Sequence, residues 1–187
     1  MLRKISDFFL GCIRQVDLVL LALCTGATLF GCLMIASATH YTGSYKNVIV
    51  QLAALCLGIV AYVLMSMLDL AEVSKRWKWL LGASLVLIFL LKTPLGMDGG
   101  TGNRAWLGVS GLPVNLQPVE IVKLIFIALL ARQLVYLQEN RDLKSIPSIA
   151  LLGGHLVLIV GAYAAVSGDM GSALVLMFIF ACMCFVA

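Results

Sequence analysis

Long apolar runs, broken by short charged segments, constrain this chain more than any other feature. They cover about 18–38, 48–68, 77–91, 118–137, 146–166 and 170–187. In water such runs would need a polar shell. Yet only 12% of the residues are charged against 62% hydrophobic, where a soluble domain carries about a quarter charged residues. The runs therefore face lipid: about 20 apolar residues rising 1.5 Å each cross a hydrocarbon core of roughly 30 Å. The expected fold is all-α, a polytopic transmembrane helical bundle of six spans, forming one domain over residues 1–187. The third run is short for a crossing and is expected to recruit Trp79 and its neighbours or to end shallow. Ala36-Ser37-Ala38 looks like a signal-peptide cleavage site. The run before it is longer than a usual signal core and further runs follow, so it reads as a retained helix.

The charges lie between the runs and set an orientation. Arg3, Lys4, Arg14, Lys75, Arg76, Lys78, Arg132, Arg141 and Lys144 fall on one side, and Lys46, Lys92 and Arg104 on the other, nine against three. The positive-inside rule then puts both termini in the cytoplasm. The net charge of +4 points to acidic lipid headgroups rather than to nucleic acid. At the start, Ile5, Phe8 and Phe9 suggest an interfacial turn or helix, and Trp77 and Trp79 mark a second interface. The six cysteines, at 12, 24, 32, 56, 182 and 184, form no CxxC pair and read as small buried apolar fillers. Gly153-Gly154, with Gly161, Ala162, Ala164 and Ala165, favours close helix packing.

The longest loop, 92–119, holds Pro94, Gly96, Gly99, Gly100, Gly102, Gly108, Gly111, Pro113 and Pro118. So many breakers exclude one regular helix. Pro118 followed by Glu120 suits a helix start, since proline needs no partner for its missing N–H and the acid favours the positive helix end. Glu120 and Lys123 share one face of that helix. They read either as a structural ion pair or snorkelling charges, or as the floor of a polar cavity that handles a charged group. Arg104 reads as a headgroup contact or as a ligand for phosphate or carboxylate. Gln117 could cap or brace the loop against a helix end. Asp169, after Gly168, reads as an acceptor for the first-turn N–H groups of the last span, with a proton-relay or acid role as the alternative. His155 reads as a neutral, hydrogen-bonded histidine within the bundle. Neither histidine supports a metal site.

Two stretches carry a resemblance. They are Gly102-Asn-Arg104-Ala-Trp106-Leu-Gly108 and Gln117-Pro118-Val119-Glu120-Ile-Val-Lys123. Together they resemble the signature of the bacterial shape, elongation, division and sporulation (SEDS) proteins, the FtsW/RodA/SpoVE group, whose pattern is roughly G-A-R-R-W and then Q-P-S-E-x-x-K. Asp17 before a span ending Ile35-Ala-Ser37-Ala38 is similar to the family's first helix. Tyr45-Lys46 with Gln51 is similar to the start of its second. Gly168-Asp169-Met170-Gly171-Ser172-Ala173 resembles its P-D-L-G-[ST]-A turn before a helix. This chain departs from the pattern at Val119, where serine is usual, at Asn103 and Ala105 beside Arg104, and at Gly168, where proline is usual.

The resemblance implies a peptidoglycan glycosyltransferase of the bacterial cytoplasmic membrane. Such an enzyme polymerises the precursor carried on undecaprenyl pyrophosphate: a carboxylate acts as general base on a sugar hydroxyl, and the lipid pyrophosphate leaves. A divalent cation, Mg or Mn, could neutralise that leaving group in the full-length enzyme, although no cofactor is indicated by this sequence. The implied partner is a class B penicillin-binding protein, a transpeptidase. Arg104, Trp106, Gln117, Pro118, Glu120 and Lys123 would line or brace the substrate cavity, and Gly168, Asp169 and Gly171 would form a structural turn. The family has about ten spans, with its catalytic aspartate in the loop between the seventh and eighth. No residue here matches that aspartate, so residues 1–187 read as the N-terminal portion of the fold, as a fragment, split product or truncation. A lipid-precursor transporter and a non-catalytic scaffold of the division or elongation machinery are the alternatives.

Overall fold

The computed structural model describes residues 16–40, 45–98, 100, 102–108 and 115–187. The cluster Ile5, Phe8, Phe9, the basic residues Arg3, Lys4 and Arg14, and Cys12, Gly99, Gly111 and Pro113 lie outside the described residues. The described chain forms two compact units, up to Asp69 and from Leu70 onward.

The first unit is a helical hairpin of α1 (Leu18–Thr39) and α2 (Lys46–Ser66). Asp17 starts α1, its Oδ1 accepting the N–H groups of Val19 and Leu20 at 3.0 Å each. The Tyr62 hydroxyl donates to the Asp17 carbonyl at 3.2 Å, tying the far end of α2 to the head of α1. Only Cys32 is buried in these two helices. Leu, Val, Ile and Phe side chains cover the remaining surface, which is stable only against lipid or further helices.

The second unit contains α3 (Leu70–Lys75), α4 (Trp77–Leu90), α5 (Pro118–Asn140), α6 (Ile146–Ser167) and α7 (Met170–Val186). Helix α5 is central and packs against α4, α6 and α7. Its buried residues Val119, Val122, Phe126, Leu130, Leu134 and Leu137 recur every three or four positions, the spacing of one helical face. They meet Ile88 and Leu91 from the α4 side, Ile159 and Tyr163 from α6, and Ala173 and Leu176 from α7 in one apolar cluster.

Among the described residues, α1, α2 and α6 are long and apolar enough to cross a membrane, and α4 and α7 are shorter apolar helices. The protein is a multi-pass helical membrane protein. One expectation fails here and another holds only in part. Cys32 alone is buried among the described cysteines; Cys24, Cys56 and Cys182 are exposed and Cys184 is half-buried, since thiols tolerate a lipid-facing position as well as a core one. Among the described residues a Cβ added to Gly153, Gly154 or Gly161 would meet nothing within 4 Å, whereas Ala162 and Ala164 of the same stretch pack against the apolar cluster.

Candidate functional site

The glycine-rich loop folds into a small antiparallel sheet, β1 (Gly96–Met97), β2 (Trp106–Gly108) and β3 (Asn115–Leu116), with β2 in the middle. Its register pairs Gly96 with Leu107 and Leu107 with Leu116. Trp106 and Gln117 therefore stand at the same end of the β2–β3 ladder, and the two halves of the sequence signature are joined by backbone hydrogen bonding. Sheet and helix end fit tightly at Gly96, where any Cβ would collide with the Leu91 carbonyl.

Arg104 precedes β2. Its N–H donates to the Ser167 carbonyl at 3.0 Å, satisfying one of the acceptors that the end of α6 leaves open. The Arg104 side chain is exposed, Ala105 is buried and Trp106 is half-buried. Asn103 also reaches this turn: its Oδ1 lies 3.3 Å from where a Gly168 Cβ would be. Gly168 has φ +74°, a left-handed conformation that proline cannot adopt. The departures at Asn103 and Gly168 thus meet in space. Ala105 fills a buried position, and Val119 faces the apolar cluster rather than a polar partner.

Pro118 occupies the first turn of α5 and is buried with Val119. Gln117 precedes it in extended conformation, with no side-chain capping bond. Of the cap and the brace open to it, the cap is not made by its side chain; the Gln117 carbonyl accepts the Glu120 N–H at 3.1 Å. Lys123 Nζ and Glu120 Oε1 form an ion pair at 2.8 Å, with Lys123 mostly covered and Glu120 open. The pair places a carboxylate beside the positive end of α5 and holds the lysine along the helix.

Asp169 starts α7 as expected. Its Oδ1 accepts the N–H groups of Gly171 and Ser172 at 3.1 and 3.2 Å. Its Oδ2 accepts the Ser172 hydroxyl at 2.6 Å and the Tyr163 hydroxyl at 3.0 Å. The Ser172 hydroxyl, with the backbone donors and Tyr163, holds the carboxyl below its ordinary range against the opposing effect of burial. Four donors leave this carboxylate little basicity, which fits a structural turn better than a proton relay. The sequence reading missed Tyr163 and Ser172 as its partners. A lone tyrosine near the end of an apolar run was the available signal. His155 is hydrogen-bonded as expected, its Nδ1 lying 2.9 Å from Gln133 Oε1.

Arg104, Gln117, the Glu120–Lys123 pair and Asp169 thus gather at one end of the second unit, where α4 and α6 finish and α5 and α7 begin. Among the described residues no three His, Cys, Asp or Glu side chains come together as metal ligands, and the oxygens of Asp169 are already committed to donors. These residues do not fit a cation site of their own.

Three comparisons bear on this arrangement. The family described as cell cycle proteins, FtsW/RodA/SpoVE, matches residues 15–187. A curated relative, peptidoglycan glycosyltransferase RodA of Treponema pallidum (strain Nichols), is 28% identical over 189 aligned positions, covering 100% of this chain and 40% of the relative. A solved chain from work on the structural coordination of polymerization and crosslinking by a peptidoglycan synthase complex superposes with a TM-score of 0.69 at 30% identity. That match covers 86% of this chain and 45% of the solved one, so the chain spans less than half the length of either protein. With the signature residues on one ladder and one helix start, and the match running over nearly all its length, this chain belongs to the FtsW/RodA/SpoVE family of cell-wall and cell-cycle membrane proteins.

Proposed function

We propose that this chain supplies part of a peptidoglycan glycosyltransferase that polymerises undecaprenyl-pyrophosphate-linked precursor in the bacterial cytoplasmic membrane. The observation that carries this reading is the gathering of Arg104, Lys123 and Glu120 around a sheet-braced loop at one end of the second unit. An exposed guanidinium and a lysine on a helix start are suited to a pyrophosphate group. Glu120 holds Lys123 in place, Trp106 and Gln117 brace the loop, and the Gly168-Asp169-Gly171 turn fixes the α6–α7 end against it. These residues bind and orient; the general base would come from a further loop of the fold, as the resemblance implies.

In this reading α4, α5 and α7 join α1, α2 and α6 as spans, making six. Helix α5, 23 residues long, extends about 35 Å at 1.5 Å per residue. The basic bias then puts the Arg104 end outside and both termini in the cytoplasm. The partner would be a class B penicillin-binding protein, a reading supported by the peptidoglycan synthase complex that contains the similar solved chain. The test is polymerisation of labelled lipid-linked precursor by a protein carrying the family's full length. Arg104→Ala and Lys123→Ala should each cut glycan synthesis at least tenfold while leaving membrane insertion intact. Unchanged polymer from both variants would overturn the assignment. Labelled precursor crossing vesicles with no polymer formed would favour transport.

A further inference from the structure

The opposite end of the second unit, where α4 and α6 begin and α5 finishes, carries a separate concavity. Trp77 of α4, Arg132 and Tyr136 of α5, and Leu151, Gly154 and Leu158 of α6 line a cleft of about 650 Å³. That volume falls within the range of sites for ligands of several hundred daltons. We propose that this cleft binds an anionic phospholipid, with the phosphate on Arg132 and an acyl chain along the α6 wall.

Charge argues for the headgroup. Arg132 is half-buried, and the ion pairs found among the described residues, Glu72–Lys75 and Glu120–Lys123, do not include it. A half-buried guanidinium in a mainly apolar cleft favours an anion, and a phosphate takes two of its N–H donors at once. Arg132 lies about 12 Å along the axis from the end of α5 at 1.5 Å per residue, a depth from which its head meets the interface by snorkelling. Trp77 and Tyr136 beside it are the residue types that settle at headgroup level. The flanking Arg76 and Lys78 add to a positive surface, which anionic lipid matches and zwitterionic lipid does not.

Shape argues for the chain. Beside Arg132 the Gln133 amide donates to the Leu151 carbonyl at 3.0 Å, which turns its Oε1 toward His155 Nδ1. The imidazole then donates from Nδ1 to Gln133 and lies against Phe126 with ring centroids 5.1 Å apart. Arg132 is the one lysine or arginine among the residues that line the cleft. Gly154 keeps it open: a Cβ there would meet nothing within 4 Å.

The test is native mass spectrometry of the purified, delipidated chain titrated with phosphatidylglycerol and, separately, phosphatidylcholine of the same chains. The parent should retain phosphatidylglycerol in preference. Arg132→Gln should cut that preference about fivefold, the loss expected for one basic residue at an anionic membrane surface. Arg132→Lys should keep most of it, and Arg141→Gln, at an exposed position outside the cleft, all of it. Gly154→Leu should lower retention of both lipids by filling the chain path. Far-UV circular dichroism checks that each variant is folded, and Arg132→Lys against Arg132→Gln separates charge from fold. Equal retention of the two lipids by the parent, an unchanged preference in Arg132→Gln, or undiminished retention in Gly154→Leu would overturn the proposal. So would protection of Gly154→Cys from a maleimide in native membranes whatever their lipid, since a polypeptide would then cover the cleft.

Discussion

Replacing Asp169 by alanine should be among the most damaging single changes near the candidate site. The carboxylate caps α7 through two backbone N–H groups and takes the hydroxyls of Ser172 and Tyr163. Losing an N-cap costs about 1 kcal/mol. The Tyr163 side chain is fully buried, and a buried hydroxyl left without its acceptor costs a further 1–3 kcal/mol or so. The sum is about 2–4 kcal/mol, readable as a shift in SDS-driven unfolding in mixed micelles followed by circular dichroism. Asp169→Asn keeps one carbonyl oxygen for the backbone donors and should lose about half as much. A double-mutant cycle of Asp169→Asn with Tyr163→Phe should show coupling of about 1 kcal/mol. A loss below about 1 kcal/mol in Asp169→Ala, or additive behaviour in the cycle, would refute the reasoning, because the hydroxyl would then have another acceptor.

The Asp169 carboxyl also sets a pH dependence. Its folded pKa is held below its ordinary value, so the folded state binds fewer protons than the unfolded one. Its stabilisation is therefore complete above the unfolded value of about 3.9 and is lost as pH falls through the folded one. An acid titration of stability should show this loss in the parent and not in Asp169→Asn. Gly168→Ala should cost about 1–2 kcal/mol in the same unfolding assay, from a left-handed backbone and from pressure on Asn103. Glu120→Gln should change stability by less than about 1 kcal/mol, since the pair is open on its acidic side, and should cut glycan synthesis more than its stability effect explains. Phe126→Ala, in the centre of the apolar cluster, should fall near the low end of about 3–5 kcal/mol; in a bilayer the packing loss remains but the gain from leaving water is absent.

The helices were legible because lipid imposes a simple length and composition rule. The run read as 118–137 is the helix Pro118–Asn140, and the run read as 146–166 is Ile146–Ser167. The polar ends extend past the apolar stretch because their backbone bonds continue into the interface. The sheet was not legible: strands of two or three residues carry no alternation, and their register rests on glycines that admit close approach. The proximity of Asn103 and Arg104 to the Ser167–Gly168 turn was equally hidden, since two whole helices intervene in sequence. For the site, the sequence placed Asp169 at a helix start and paired Glu120 with Lys123 from spacing alone. Of the two roles it left open for Gln117, the side-chain cap is not formed, because capping depends on a rotamer that spacing does not fix. The close packing read from the small residues of α6 holds at Ala162 and Ala164, while Gly154 lines a cleft.

The bond from the Arg104 N–H to the Ser167 carbonyl has a consequence during synthesis. A ribosome makes the donor first, then α5 and α6, and the acceptor only at the end of α6. Until that helix is threaded into the bilayer, the Arg104 segment lacks its anchor and the signature residues lack their final arrangement. Insertion of α6 is therefore the event that anchors the Arg104 segment, and a delay there would leave a protein with its helices in the membrane and its proposed binding surface unassembled.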